Sequence, residues 1–377
     1  MNLANCIRIW DIDCPLPTEV LLNNAVQHIE SGDILLVRRA LQRVGLWEEI
    51  QTTVWGAIGD ALGHEMTARL RELGLGSMHQ LLTGDQVKRC NEFAHARFNA
   101  VAEGYVPRLV REAIGHRGPG FFDQNAVIRF YVPIAFHKSN RETLDTRPGY
   151  TKPQGPHIDT WFGHAMSGLN LWMALEPVRR GNGLALFLTK WRSEIPHDDN
   201  CRPLRGQHFG TPVTFQMDPG DLLFFHGEHL HSSELNSTAW TRVVLTNRFS
   251  LRSPPTVPEI STKWLELPTS NPAQNTVRLE DTARSYSVEE FRRLYAPASG
   301  DGTITALDDR WCEVMTNGSR RIVSRICPHE GGDLSAGYVE NGRIYCPWHH
   351  MSFDPTTGQP PCGGIAPLRI GDEPRAT

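Results

Sequence analysis

The chain has 377 residues, of which 40% are hydrophobic and 21% are charged. This composition is typical of a globular protein, and the length exceeds what one hydrophobic core usually organises, so we expect two domains. A net charge of −4 and a pI near 6.5 argue against nucleic acid and anionic membranes as partners. The sequence has no apolar run long enough to span a membrane, and its first residues lack the pattern of a signal peptide. Its eight cysteines fit a reducing compartment, and we therefore expect a cytoplasmic protein.

Helical periodicity dominates residues 15–117 and predicts helices that pack outside a sheet. An apolar, β-branched and aromatic run from Ala126 to Phe136 predicts the start of a strand-rich region that continues to Leu251. The segment 137–156 has no periodicity and contains three prolines. It predicts a loop that borders the functional site.

A histidine and an aspartate stand two residues apart at His157 and Asp159. On an extended strand, side chains at this spacing point to the same face. A distant histidine would complete the set of two imidazoles and one carboxylate that holds iron(II) and leaves positions open for oxygen chemistry. The pattern is weak by itself, because in a chain with 16 histidines such a pair is more often an ordinary surface or core pair.

The His157-Ile-Asp159 motif is followed by several further motifs. They are Leu171-Trp-Met-Ala-Leu175, Gly181-Asn-Gly-Leu184, the Pro219-Gly220 turn, His231 with Ser233 and Asn236, and Arg242. This layout resembles the phytanoyl-CoA dioxygenase-like branch of the iron(II)/2-oxoglutarate oxygenases over residues 125–250. The resemblance implies a double-stranded β-helix (jelly roll), with His157, Asp159 and His231 as iron ligands. It also implies that Arg242 binds the far carboxylate of 2-oxoglutarate, a role that suits the parallel donors of a guanidinium.

His226 and His229 compete with His231 for the third ligand position. His229 and His231 share one strand face, so alternation does not separate them. The eleven-residue gap between His231 and Arg242 favours His231. We interpret His226 and His229 as packed or hydrogen-bonded histidines at a strand end.

Six other residues near the ligands are candidates for the substrate pocket, and they are Trp161, Phe162, Trp172, Met173, Arg141 and Arg147. Apolar and aromatic residues beside a strand are more often part of the core, and loop arginines are usually only solvated.

Residues 253–275 form a proline-spotted link that Trp264 and Leu265 could attach to a domain surface. Ser287 and Glu290 match a capping box, which predicts a short helix through Leu294.

The C-terminal part contains Cys327-Pro-His329 and, after sixteen intervening residues, Cys346-Pro-Trp-His349. Two loops that each carry one cysteine and one histidine are typical of a Rieske [2Fe-2S] centre, in which two thiolates bind one iron and two imidazoles bind the other. Structural zinc is the alternative, but zinc fingers pair cysteine with cysteine and histidine with histidine.

Residues 302–371 also resemble Rieske ferredoxins in Leu334, Phe353-Asp354, Thr357-Gly358 and Pro367-Leu368. The resemblance implies Cys327, His329, Cys346 and His349 as the cluster ligands. His350 departs from the family, which usually has a small residue such as glycine there. Cys312 and Cys362 lie outside the ligand positions, and we interpret them as packing thiols.

We expect a mainly β protein with N-terminal helices. Residues 1–252 would form the jelly-roll domain, residues 253–300 a linker with a short helix, and residues 301–377 a small all-β Rieske domain. The predicted protein is an oxidoreductase, a non-haem iron oxygenase. It would hydroxylate, desaturate or cyclise a small organic molecule with O2, and its cofactors would be Fe(II), 2-oxoglutarate and a [2Fe-2S] cluster. A ferredoxin reductase or another electron donor would be a partner, and a homo-oligomer is compatible with the sequence.

The fused cluster needs a reason, because turnover with 2-oxoglutarate supplies its own electrons. The cluster could re-reduce iron oxidised in uncoupled cycles, drive a reaction of different redox balance, or replace 2-oxoglutarate as in Rieske oxygenases. Arg242 favours the first reason, since it argues for the cosubstrate. A non-catalytic electron carrier is the remaining alternative, and the set of His157, Asp159, His231 and Arg242 argues against it.

Overall fold

The computed structural model describes residues 7–13, 21–145, 151–254, 263–269, 276–295 and 302–371. Arg147, one of the substrate-pocket candidates, lies outside these ranges. The helices are α1 (Ala25–Glu30), α2 (Ala40–Arg43), α3 (Trp47–Leu62), α4 (His64–Leu73), α5 (Met78–Leu81), α6 (Gly84–Ile114), α7 (Ile134–Ser139), α8 (Arg141–Leu144), α9 (Leu279–Thr282) and α10 (Val288–Tyr295).

Twenty strands are described. The first fourteen are β1 (Arg8–Ile12), β2 (Leu21–Leu22), β3 (Ile34–Val37), β4 (Phe121–Asp123), β5 (Val127–Tyr131), β6 (Leu169–Ala174), β7 (Leu184–Leu186), β8 (Val213–Thr214), β9 (Leu222–His226), β10 (His231–Ser233), β11 (Arg242–Ser250), β12 (Trp264–Glu266), β13 (Thr276–Val277) and β14 (Arg284–Ser287). The last six are β15 (Gly302–Ala306), β16 (Trp311–Thr316), β17 (Ser319–Ser324), β18 (Tyr338–Glu340), β19 (Arg343–Tyr345) and β20 (Ser352–Phe353).

The expected jelly roll with N-terminal helices is present. Its larger sheet runs in the order β12-β4-β11-β6-β9-β3-β1-β14, with β5 also paired to β11, and its smaller sheet runs β10-β7-β8. The apolar core between the two sheets includes Trp172 and Phe225 from the larger sheet and Leu184 and Leu186 from the smaller one. Two facing sheets can therefore direct side chains into one shared opening.

Helix α6 covers the outer face of the larger sheet. A capping box defines its start, since the Thr83 hydroxyl accepts from Gln86 N–H and the Gln86 side chain accepts from Thr83 N–H. Buried residues such as Val87, Ala94 and Phe98 recur along one face of the helix and pack in the core beneath the sheet. The helix ends at Gly115, whose φ of +73° and close approach to a backbone carbonyl both require glycine.

Two segments differ from the sequence-based expectations, and a third agrees with them. Strand β3 lies within the region expected to be helical, because its four buried residues pair with β1 and β9 inside the larger sheet. The expected loop at 137–156 contains α8 and the second half of α7. The link contributes strand β12, and Trp264 and Leu265 pair with β4, so this attachment of the link is confirmed.

The helix predicted after Ser287 is present as α10, and Ser287 and Glu290 form the capping box. Just before it, β14 pairs with β1 of the N-terminal region. The segment between the two domains is therefore packed against the jelly roll over these residues.

The C-terminal part is a small all-β unit of two three-stranded sheets, β15-β16-β17 and β18-β19-β20. Its core contains Val314, Val323 and Phe353, together with Ile134 and Leu235 of the jelly roll. The two parts therefore share apolar contacts across their boundary. Within the described ranges, the helices are too short or too polar to cross a membrane.

Glu176 lies just after β6, and its carboxyl group makes the stability of the folded protein depend on pH. Burial raises its pKa to about 7, against a weaker opposite effect of the Gly76 backbone N–H. Between pH 4.5 and 7 the unfolded chain releases a proton that the folded chain keeps, so the free energy of unfolding falls as the pH rises through this window.

We predict that Glu176→Gln, which cannot ionise, is about 1–3 kcal/mol more stable than the wild type at pH 8 and gains nothing near pH 4.5. Urea unfolding at both pH values measures this difference. Glu266→Gln, at an exposed carboxyl group, is the control. An equal gain for Glu176→Gln at both pH values would contradict the explanation.

Candidate active site

His157, Asp159 and His231 come together at one end of the jelly roll. Each offers one ligand atom, and these atoms all lie within 4.8 Å of one another. The Nε2 atoms of His157 and His231 lie 3.7 Å and 3.8 Å from Asp159 Oδ1. This arrangement fits a single metal ion held by two imidazoles and one carboxylate.

The backbone positions both histidines. His157 and His231 pair through two backbone hydrogen bonds of 2.9 Å, which link the 157 segment to β10. The His157 Nδ1 atom bonds to the carbonyl of Gly155 at 2.7 Å, and that of His231 to the carbonyl of His229 at 2.8 Å. Both Nε2 atoms are thereby directed to the metal position.

Asp159 is the first residue of a 3₁₀ turn rather than part of a strand, although Ile158 before it is extended. Its Oδ2 accepts a hydrogen bond from Asn170 Nδ2 at 2.8 Å. The Arg248 guanidinium lies 3.3 Å from both carboxylate oxygens. Burial acts to raise the pKa of Asp159, but Arg248 and the nearby histidines hold it well below its ordinary value.

Burial lowers the pKa of His157 to about 3, and it also lowers the pKa of His231. Both imidazoles are therefore neutral at pH 7, the form that binds a metal ion. The competing histidines have other contacts. His229 bonds to the carbonyl of Gly32 at 2.8 Å, and the His226 ring packs edge-on against Trp191.

A cavity of about 420 Å³ opens next to the three ligands. Arg242, at the start of β11, lines this cavity and is 1% exposed. Its Nη1 donates to the carbonyls of Asn182 and Gly183, and its guanidinium lies 4.1 Å from the ring centroid of Tyr131. Among the described residues, its Nε has no hydrogen-bond partner.

Of the substrate-pocket candidates, Phe162 and Trp172 line this cavity. Met173 is fully buried in the core, and Trp161 stacks on the ring of His197. Arg141 is exposed and forms an ion pair with Asp145.

The four predicted cluster residues meet at two facing loops of the C-terminal part. The thiols of Cys327 and Cys346 are buried and lie within hydrogen-bonding distance of each other. The rings of His329 and His349 lie 5.0 Å apart between centroids. The bond between the thiols lowers the pKa of Cys327, whereas burial raises that of Cys346.

The local packing fits a cluster. A Cβ atom on Gly332 would lie 2.9 Å from the Cys346 sulfur, so glycine leaves the space beside the thiol open. The buried Nδ1 of His349 has no hydrogen-bond partner among the described residues and is available as a ligand. In that part of the chain, His329, Glu330 and His349 have donor atoms within 4.8 Å of one another, but neither cysteine belongs to this group. Separate thiol and imidazole pairs suit two irons better than one zinc.

The C-terminal part docks on the jelly roll through its second ligand loop. Leu235 N–H donates to the carbonyl of His349 at 2.8 Å, and the hydroxyl of Ser232 lies 2.9 Å from His350 Nε2. Elsewhere in the interface Lys152 pairs with Glu330 at 3.1 Å. The two sites are thus brought close together within one chain.

The geometry of the two sites fits a mononuclear metal ion in the jelly roll and a [2Fe-2S] cluster in the C-terminal part. The chain matches the phytanoyl-CoA dioxygenase family over residues 82–244 and the Rieske [2Fe-2S] domain family over residues 295–364. The first match falls within the part that contains the jelly roll, and the second covers most of the small all-β unit. The cofactors of these two families are Fe(II) with 2-oxoglutarate and a [2Fe-2S] cluster.

The curated relatives match the Rieske part. The chain is 44% identical over 46 residues to the anthranilate 1,2-dioxygenase ferredoxin subunit of Burkholderia cepacia, covering 12% of this chain and 43% of the relative. It is 33% identical over 61 residues to apoptosis-inducing factor 3 of Homo sapiens, covering 15% of this chain and 10% of the relative. Both relatives are therefore matched over less than half of their length.

Among solved structures, the chain is similar to a non-haem alpha-ketoglutarate-dependent carbocyclase from nogalamycin biosynthesis. The identity is 14%, the TM-score is 0.34, and the match covers 63% of this chain and 87% of the other.

Sequence reasoning missed Asn170 and Arg248, two residues whose side chains hydrogen-bond to the Asp159 carboxylate. Arg248 lies six residues after Arg242 on β11, so strand alternation places both on the cavity face and could have identified it. Asn170 lies two residues before Trp172 on β6, and the same argument applies.

We predict that Asn170→Ala weakens Fe(II) binding by about 10- to 100-fold, because Asp159 loses the hydrogen bond that orients its carboxylate. An anaerobic competition titration against a chelator measures the affinity. Asn125→Ala, at another residue that lines the cavity, is the matched control. Unchanged affinity in Asn170→Ala would show that the hydrogen bond does not position the ligand.

For the second site, Cys327→Ala should abolish the brown colour and the electron paramagnetic resonance signal of a mixed N/S-ligated [2Fe-2S] centre. The jelly roll should stay folded, because it has its own core. Cys312→Ala, which removes a buried thiol from the same small core, should keep the signal. A colourless wild-type protein with one equivalent of zinc would refute the cluster assignment.

Proposed function

We propose that this protein is an iron(II)/2-oxoglutarate oxygenase of a small organic substrate, in which the Rieske cluster supplies electrons to the mononuclear iron of the same chain. In this proposal His157, Asp159 and His231 hold the iron and Arg242 binds 2-oxoglutarate. Cys327, His329, Cys346 and His349 hold the cluster. The buried Arg242 in the cavity of the three iron ligands is the observation that carries the proposal.

The electrostatics of Arg242 support an anionic ligand. Burial lowers its pKa to about 10, so the guanidinium is still charged at pH 7. Two backbone carbonyls bind one of its nitrogens, and Nε is unpartnered among the described residues. A buried charge with unused donors is unfavourable unless a ligand pairs with it, and a carboxylate matches the guanidinium geometry.

The cavity is large enough for a cosubstrate and a small substrate, because its volume of about 420 Å³ lies within the range of small-molecule sites. Bound iron(II) would activate O2, and 2-oxoglutarate would supply two electrons on conversion to succinate and CO2. The protein's own groups bind and orient. Arg242 holds the far carboxylate, Asn170 and Arg248 hold the Asp159 carboxylate, and Phe162 and Trp172 form aromatic parts of the cavity wall.

Electron supply has a structural argument of its own, since the cluster ligand His349 lies beside the segment that carries His157. Turnover of 2-oxoglutarate is balanced without an external donor. We therefore assign the cluster the task of returning the mononuclear iron to the ferrous state after uncoupled oxidation.

The remaining assignments rest on the sequence. We propose a jelly-roll domain at 1–252, a linker at 253–300 and a Rieske domain at 301–377. A ferredoxin reductase or a similar donor would reduce the cluster, and the cytoplasm would be the compartment. A homo-oligomer is compatible with this scheme.

We predict that Arg242→Ala weakens 2-oxoglutarate binding by about 2–5 kcal/mol, because a desolvated charge-assisted pair is lost. Anaerobic calorimetry with Fe(II)-loaded protein measures the affinity. Arg141→Ala, at an exposed arginine, should leave it unchanged.

Turnover assays of the wild-type protein distinguish the two oxygenase mechanisms when 2-oxoglutarate and the electron donor are omitted in turn. Succinate formation that requires 2-oxoglutarate supports the proposal. Turnover that continues without 2-oxoglutarate but stops without an electron donor would refute it in favour of a Rieske-oxygenase-like reaction.

A further inference from the structure

Gly155 lies between a ligand of each iron site. Its carbonyl accepts the hydrogen bond from His157 Nδ1 at 2.7 Å. On its other side, a Cβ atom added to Gly155 would lie 3.7 Å from His349 Nε2 and 4.0 Å from His349 Cε1. Residue 155 thus bonds to one imidazole and lies next to the other.

The orientation of the His349 ring suits this position. Its Nδ1 is buried and unpartnered among the described residues, which leaves it for the cluster iron. The adjacent edge of the ring, with Nε2 and Cε1, faces Gly155. The ring therefore spans the space from the cluster to the jelly roll.

Backbone hydrogen bonds hold this contact in place from both sides. Ser233 N–H donates to the carbonyl of Gln154 at 2.9 Å, and Leu235 N–H donates to the carbonyl of His349 at 2.8 Å. The strand β10 segment is thus bonded both to the segment of Gly155 and to the loop of His349. The two imidazoles could move apart only if these backbone hydrogen bonds were broken.

We infer that electrons pass from the cluster to the mononuclear iron through His349, the backbone of Gly155 and His157. The inference rests on the function proposed above and specifies its route. In the step, the reduced cluster loses one electron and becomes diferric, and the ferric mononuclear iron gains it and becomes ferrous. An external one-electron donor reduces the cluster beforehand. Residue 155 is a positioning residue, because it lies between the two imidazoles and a bulky side chain at this position would separate them.

The geometry supplies a matched pair of variants. Gly155→Ala adds a Cβ at ordinary van der Waals distance from His349, so the contact is retained. Gly155→Val adds two further carbons at the same Cβ and so places a bulkier side chain beside a ring that the Cβ already contacts. The valine should therefore separate the imidazoles, whereas the alanine should not.

The test uses full-length protein with an oxidised cluster and ferric iron, without substrate. A light-activated flavin donor delivers one electron, and rapid-freeze electron paramagnetic resonance follows the transfer from the cluster at two protein concentrations. We expect a concentration-independent rate that is close to wild type in Gly155→Ala and several-fold lower in Gly155→Val. Iron content, cluster content and cluster reduction potential should be unchanged in both.

A wild-type rate in fully loaded Gly155→Val would overturn the route and leave the proposed electron supply intact. No transfer in the wild type would overturn the electron supply itself, and the route with it. If Gly155→Val fails to load both sites, Gly155→Ser, with a single γ atom, takes its place under the same criteria.

Discussion

The segment from His231 to Leu235 is the element on which both metal sites depend. His231 directs its imidazole to the iron position, Ser232 contacts His350, and Leu235 bonds to the carbonyl of His349 while its side chain packs in the Rieske core. Five consecutive residues therefore contact both the iron position and the Rieske part. Because packed interiors deform little, a displacement of this segment would disturb both sites together, and the relative position of the two domains is part of the active site.

Burial of charge imposes a second constraint on the oxygenase site. Arg242 and Arg248 line the same cavity, and among the residues that line it Asp159 is the single carboxylate. An interior with such an excess of positive charge is unfavourable until anions enter, which makes the cavity a receptor for carboxylates. Asn170 and Arg248 hydrogen-bond to the Asp159 carboxylate. They hold it in place as a metal ligand.

His350 illustrates how docking changes a family pattern. Its φ of +55° lies in the left-handed region that favours glycine, which explains why small residues are usual there. Here the side chain is buried and contacts Ser232 and the hydroxyl of Tyr338, and its ring packs near Phe187. These contacts offset the backbone strain of about 1–3 kcal/mol. An exposed ligand loop has no such partners, so histidine at this position is explained by the interface.

The sequence alone determined the residue types and spacings that coordination chemistry requires. Cys327, His329, Cys346 and His349 were identified together because the local loops of a Rieske domain place their ligands at short separations along the chain. His157 and Asp159 were identified for the same reason. The third ligand depended on the family resemblance and on the eleven-residue gap to Arg242, since alternation did not separate His229 from His231. Only the tertiary structure decided what contacts these ligands. Asn170, Arg248, Gly155 and the pairing of His350 with Ser232 come from distant parts of the chain, and their proximity follows from sheet register and domain docking. These are set by the simultaneous packing of many side chains, and a one-dimensional pattern of residues does not encode them locally.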